Sequence, residues 1–173
     1  VIRLVLTVIG DDRSGLVKAL ADVVAEHDGN WETSQLAEVA GKFAGIVVVA
    51  VPPDRASALQ DALTPLRGML EVEVRGEVAA DEPPAADTRA VVVEIVGNDR
   101  PGIVQAVSGV LAAHGLGVAE LETDTREAPM AGGRLFEARA VVTVPAGADT
   151  ADLRAALEEI ADEVLVDLAF EEL

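Results

Sequence analysis

Ten residues near the N-terminus, Val8-Ile9-Gly10-Asp11-Asp12-Arg13-Ser14-Gly15-Leu16-Val17, return 87 residues later as Ile95-Val96-Gly97-Asn98-Asp99-Arg100-Pro101-Gly102-Ile103-Val104. Each stretch ends an apolar, β-branched run and opens a segment with apolar residues at helical spacing. The first N–H groups of a helix have no internal partners. They draw a carboxylate, helped by the positive end of the dipole. Asp12 or Asp99 could instead pair with an amino group. A carboxylate site and an ammonium site at one turn suit a free amino acid. In the second copy Pro101 fits the first helical position, where no N–H is needed, and Gly102 keeps the helix entrance free of a side chain. The same residues also have an architectural use. Gly10, Gly15, Gly97 and Gly102 let the chain turn sharply, and Asp12 and Asp99 could cap a helix.

The elements that must hold these turns repeat as well. In the first half, Ile2 to Ile9 is a β-branched strand, and Ser14 to His27 a helix with Leu16, Val17, Leu20, Val23 and Val24 on its apolar side. Asp28-Gly29 ends the helix. Asn30 to Val39 and Phe43 to Val51 are strands about a tight turn at Gly41-Lys42. A helix runs to about Leu66, and Glu71 to Gly76 is a short last strand. The second half repeats the order: strand Ala90 to Val96, helix Pro101 to His114, strands Val118 to Thr125 and Leu135 to Val144, helix Asp149 to Asp162, strand Val164 to Phe170. Between the halves, 78–88 is a proline-bearing, acidic linker. The chain therefore divides into 1–77, the linker 78–88, and 89–173. The class is α+β: two βαββαβ units, each a four-stranded antiparallel sheet with two helices on one face. The runs Ile46 to Val51 and Val91-Val92-Val93 do not alternate with polar residues, so part of each outer sheet face is expected to be covered. Packing of the two halves and a homodimer are the expected ways to cover it.

Composition excludes several classes of function. The chain has no cysteine, hence no disulfide, thiolate metal site or cysteine nucleophile. No apolar run reaches the roughly 18 residues that span a membrane. With no charged-then-apolar stretch and cleavage site before the first strand, export is not expected and a cytoplasmic protein is. The net charge is −18; residues 1–80 hold 7 Lys/Arg against 12 Asp/Glu, and residues 81–173 hold 6 against 19. Such a field repels nucleic acid, which is bound through a basic face. The acids serve solubility, or recruit a basic partner. No nucleophile stands with a base, no metal-ligand cluster is spaced for a cation, and the glycines of 10–15 lack the Gly-Lys-Ser/Thr ending of a phosphate loop. Glu158-Glu159 and Asp162-Glu163 lie at helix-surface positions. An enzyme is not expected, and neither a metal nor a cofactor is called for.

The pattern strand, Asp-Arg-Pro-Gly-Ile-Val, helix, Gly-x-Asn, strand, in a βαββαβ unit, resembles the ACT domain, a small ferredoxin-like regulatory module that binds amino acids. Two copies over about 1–76 and 89–173, with no attached enzyme, resemble the glycine cleavage system transcriptional repressor group. The resemblance implies a ligand site formed by the turn and the start of the second strand, often across a domain interface. It nominates Asp12, Arg13, Gly15, Leu16 and Asn30 in the first copy, and Asp99, Arg100, Gly102 and Ile103 in the second. Ser14 stands where the second copy has Pro101, and Gly117 stands where the first has Asn30, so neither copy carries the whole pattern.

Other residues have more local readings. His27 and His114 sit at equivalent helix C-termini, where an imidazolium meets the dipole. Trp31 is the single Trp and reads as a core or interface anchor. The insertion 124–133, with Pro129 and Met130, lengthens one hairpin of the second half and is either a tolerated loop or a partner-binding finger. Two functions follow. One is a regulatory module in which a small amino acid, glycine or serine as first guesses, biases the arrangement of domains or chains. The other is an adaptor with no small-molecule ligand, docking a basic protein partner through the acidic second half or the 124–133 loop.

Overall fold

The computed structural model describes residues 1–78, 87–129 and 132–173, and the side chains of these apart from those at 67, 77 and 78. Most of the linker and Met130 thus lie outside the described residues. The chain forms two compact units, Val1–Pro83 and Pro84–Leu173.

In the first unit, β1 (Ile2–Asp11), α1 (Leu16–Glu26), β2 (Asn30–Val39), β3 (Lys42–Val51), α2 (Ala56–Leu63) and β4 (Glu71–Val78) follow in order, with a 3-10 turn at Thr64–Gly68 before β4. The second unit has β5 (Thr88–Asn98), α3 (Ile103–Ala113), β6 (Gly117–Glu127), β7 (Arg134–Pro145), α4 (Ala151–Glu163) and β8 (Val166–Glu172). Each sheet is four-stranded, in the order β2-β3-β1-β4 and β6-β7-β5-β8, with antiparallel neighbours throughout. These are the two ferredoxin-like units that the sequence pattern implies.

Each unit has its own core. In the first, Leu4, Leu6 and Val8 of β1 and Val47, Val49 and Val51 of β3 meet Leu16, Leu20 and Val24 of α1 and Leu59 and Leu63 of α2. In the second, Val91, Val93 and Ile95 meet Ile103, Val107 and Leu111, and Leu153 and Leu157. The helical residues recur every four positions and the strand residues every two, so both helices lie on one sheet face. Burying one such side chain contributes about 1.5–3 kcal/mol.

The unbroken apolar run of β3 resolves into two faces. Val47, Val49 and Val51 point inward, while Ile46, Val48 and Ala50 point outward, with Ile46 half exposed. Helix starts differ from expectation. α1 and α3 begin two residues later than the spacing suggests, because Gly15 (φ 92°) and Gly102 (φ 97°) take left-handed conformations at the N-cap. Pro101 therefore precedes the cap and is not the first helical residue. The β2–β3 turn is also one residue earlier than expected. Ala40 (φ 51°) and Gly41 (φ 76°) both lie at positive φ, the signature of a two-residue hairpin that matches strand twist. In the second unit the corresponding hairpin is longer, with Glu127 paired to Arg134 at its tip.

Candidate functional site

Both turns are built alike. The Asp12 N–H donates to the Gly41 carbonyl at 2.9 Å, and the Asp99 N–H to the Arg134 carbonyl at 2.8 Å, so each turn hangs on the end of the neighbouring hairpin. The carbonyls of Gly15 and Gly102 accept the first helical bonds, from Ala19 and Ala106, both at 2.9 Å. No side chain caps either helix, and neither first turn carries an acid. Asp12 and Asp99 are therefore not caps. Both are exposed beside helix entrances whose N–H groups remain open to an anion.

The arginines do something the sequence did not suggest. Arg13 Nη2 donates to the Gly68 carbonyl at 3.4 Å, and Arg100 Nη2 to the Glu163 carbonyl at 3.0 Å. Arg100 reaches the C-terminal end of α4, where carbonyls lack helical partners and the dipole is negative, and Arg13 the end of the 3-10 turn that continues α2. The turn thus ties the start of one helix to the end of the other. Leu16 and Ile103 are each 2% exposed, with their side chains packed in the two cores.

Asn30 is not brought to the turn of its own unit. It pairs with Ala50, which pairs with Arg3 at the start of β1, whereas the turn follows Asp11 at the other end. Eight strand residues at about 3.3 Å each put the two about 26 Å apart. Gly117 occupies the same place in the second unit, opposite Thr143 near the start of β5.

His27 and His114 both sit as expected. Each Nδ1 lies against a carbonyl four residues earlier, Val23 at 2.8 Å and Val110 at 2.9 Å, just past the last helical residue. Among the described residues no group of three or more His, Cys, Asp or Glu is placed to hold a metal ion, and no helix is long and apolar enough to cross a membrane.

The sequence also missed a polar cluster at the far end of the second unit. The Thr150 hydroxyl donates to Glu172 Oε1, Arg89 Nη1 pairs with Glu172 Oε2, and Arg89 Nη2 donates to the Ala148 carbonyl at 2.9 Å. With its hydroxyl so engaged, Thr150 leaves its helix to Asp149, whose carboxylate accepts from the Ala151 N–H at 2.9 Å. The Thr150 bond, then the Arg89 bond, hold the Glu172 carboxyl below its ordinary value of 4.5. A depressed folded-state pKa adds stability that is complete above the unfolded value and lost as pH falls through the folded one. Glu172→Gln should therefore melt lower than the parent at pH 7. The gap should close as pH falls below 4.5, which thermal melts between pH 7 and pH 2 would read.

Known proteins share this architecture. Residues 3–77 match the ACT domain family. The glycine cleavage system transcriptional repressors of Escherichia coli (strain K12) and Shigella flexneri are each 26% identical over 164 residues, 93% of this chain and 85% of theirs. The crystal structure of an unknown protein from Galdieria sulphuraria is 33% identical, with a TM-score of 0.83 over 99% of this chain and 98% of its own. A crystal structure provisionally named a glycine cleavage system transcriptional repressor shares the fold, with a TM-score of 0.70 at 17% identity over 99% of this chain and 97% of its own. Residues 3–77 form an ACT domain, the same βαββαβ order repeats after it, and the chain as a whole resembles the glycine cleavage system transcriptional repressor group.

Proposed function

We propose that this chain is a non-catalytic, cytoplasmic regulatory protein that binds a small amino acid at an ACT-domain interface. Binding is passed on through the arrangement of domains or subunits, in control of glycine or amino-acid metabolism. The observation that carries this reading is the pair of exposed helix entrances that no side chain caps, each beside an aspartate of the turn whose carboxylate makes no ion pair among the described residues. A ligand carboxylate fits the N–H groups, and its ammonium fits Asp12 or Asp99. Asn30, at the far end of its own sheet, joins such a site only from another unit or a second copy. That requirement supports an interfacial site and a homodimer. A ligand that prefers one arrangement shifts the population toward it by its difference in affinity.

The test is a thermal-shift screen of the twenty amino acids at millimolar concentration on the full chain. A narrow subset, glycine or serine first, should raise the melting temperature. A ligand at 100 times its Kd stabilises by about 2.7 kcal/mol, an easily read shift. A folded protein that responds to none of them would refute the reading.

A further inference from the structure

The sheet face away from the helices differs between the two units. In the first, Val5 stands opposite Val48, Thr7 opposite Ile46 and Ile9 opposite Ala44 across β1–β3. On β1 these residues alternate with the buried Leu4, Leu6 and Val8, so they point outward. β2 continues the rows, with Gln35 beside Ile46 and Ala37 beside Ala44. None of these residues is charged. Ile9 is 49% exposed and Ile46 51%. In the second unit the matching rows are Glu94 opposite Arg139 and Val96 opposite Glu137, continued on β6 by Glu122 and Asp124. An antiparallel sheet with one wet face carries polar residues there. The second unit follows that rule and the first departs from it.

We propose that the outer sheet face of the first unit is the contact between two copies of this chain, stacked sheet on sheet about a twofold axis. The proposal rests on the homodimer of the reading above and gives it a face. Three features select a second copy as the occupant. The first is charge. The chain carries −18, so two copies repel one another except where their surfaces are locally balanced. At the rim of this face the charges come in opposed pairs: Arg3 with Glu32 at 2.6 Å, Arg75 with Glu73 at 2.6 Å, and Lys42 with Asp11. Glu71, which makes no ion pair among the described residues, adds one acid to that rim. A basic partner would settle instead on the acids of the second unit.

The second feature is shape. Two sheets of the same twist stack about 10 Å apart with their strands within about 30°, and a twofold axis sets the same patch on itself. The third is area. Four strands of up to ten residues make a face of about 33 Å by 19 Å, so two copies bury about 1,200 Å², above the roughly 1,000 Å² of a specific contact. The helices pack on the opposite face, so this contact leaves the helix entrance of the first unit open to a ligand.

Sedimentation equilibrium of the full chain at micromolar concentration, without ligand, should give twice the chain mass of 17.9 kDa. Ile46→Glu places a carboxylate from each copy in the middle of the contact and should raise the dimer Kd by about 100-fold or more. Ile46 is half exposed within its own unit, so the variant should keep its fold, which circular dichroism checks. Gln35→Glu, at an exposed position of β2, is the milder second variant and should raise Kd by about tenfold. Leu121→Glu, at a half-exposed position of β6 outside the contact, should leave Kd unchanged. A dimer that survives both first-unit variants, or that Leu121→Glu dissociates, overturns this face and leaves the homodimer standing. A monomeric parent chain overturns both, while the amino-acid screen reads the helix entrances separately.

Discussion

Truncating Leu157 to alanine is expected to cost the second unit about 2–5 kcal/mol, the usual range when a buried Leu is replaced by Ala and a cavity remains. Leu157 is fully buried, on α4, in the core with Val91, Val93, Val142 and Leu153. Leu59, also fully buried, lies on α2 in the core of the first unit. The two cores share no residue. Amide hydrogen exchange should therefore lose protection within 88–173 for Leu157→Ala, and within 1–78 for Leu59→Ala. Protection in the other unit should hold. The effect on melting is large, because about 1 kcal/mol moves the midpoint of a 60–100-residue domain by about 4–8 °C. Equal loss of protection in both halves from either variant would show that the units unfold as one, contrary to the separate cores.

The sequence revealed this architecture because its signals are local and occur twice. β2 spans Asn30–Val39 in the structure, as its composition predicts, and the four-residue stripes of α1 and α3 announce the faces that bury Leu16, Leu20 and Val24, and Ile103, Val107 and Leu111. The helix starts were read two residues early because Ser14 and Pro101 are good residues for a helix entrance. The decisive fact is the positive φ of Gly15 and Gly102, which a glycine permits but does not announce. The site was less legible, because its partners are distant in sequence. Arg13 and Gly68 are 55 residues apart, and Arg100 and Glu163 are 63 apart, so pairing an arginine with a helix end needs the packed unit. Asn30 could be grouped with the turn on resemblance alone. Only strand register shows that β1 separates them by its whole length.

The second large effect concerns the first glycine of each turn. In Gly97→Ala the new methyl would lie 2.6 Å from Val166 Cγ1 and 3.0 Å from Val166 Cα. In Gly10→Ala it would lie 2.7 Å from the Met69 carbonyl oxygen and 3.1 Å from Leu70 Cδ1. Backbone atoms are among the obstacles in both, so rotating one side chain does not relieve the clash, and β8 or the segment before β4 must move away. Overpacking of this kind costs about 1–3 kcal/mol, sometimes more. Gly15→Ala and Gly102→Ala are the useful contrast. Their methyls meet nothing within 4 Å, and their cost is the left-handed backbone alone, about 1–2 kcal/mol. The movement also separates the two pairs. Displacing Met69 and Leu70 pulls Gly68 from Arg13, whereas a strained Gly15 leaves that segment in place. Gly10→Ala should therefore lower the melting temperature and expose the amides of 69–72 to exchange, whereas Gly15→Ala should lower the melting temperature and keep their protection. Thermal melts paired with amide hydrogen exchange on both variants read the two effects separately. Undiminished protection of 69–72 in a folded Gly10→Ala protein would contradict the close packing of β1 against Met69.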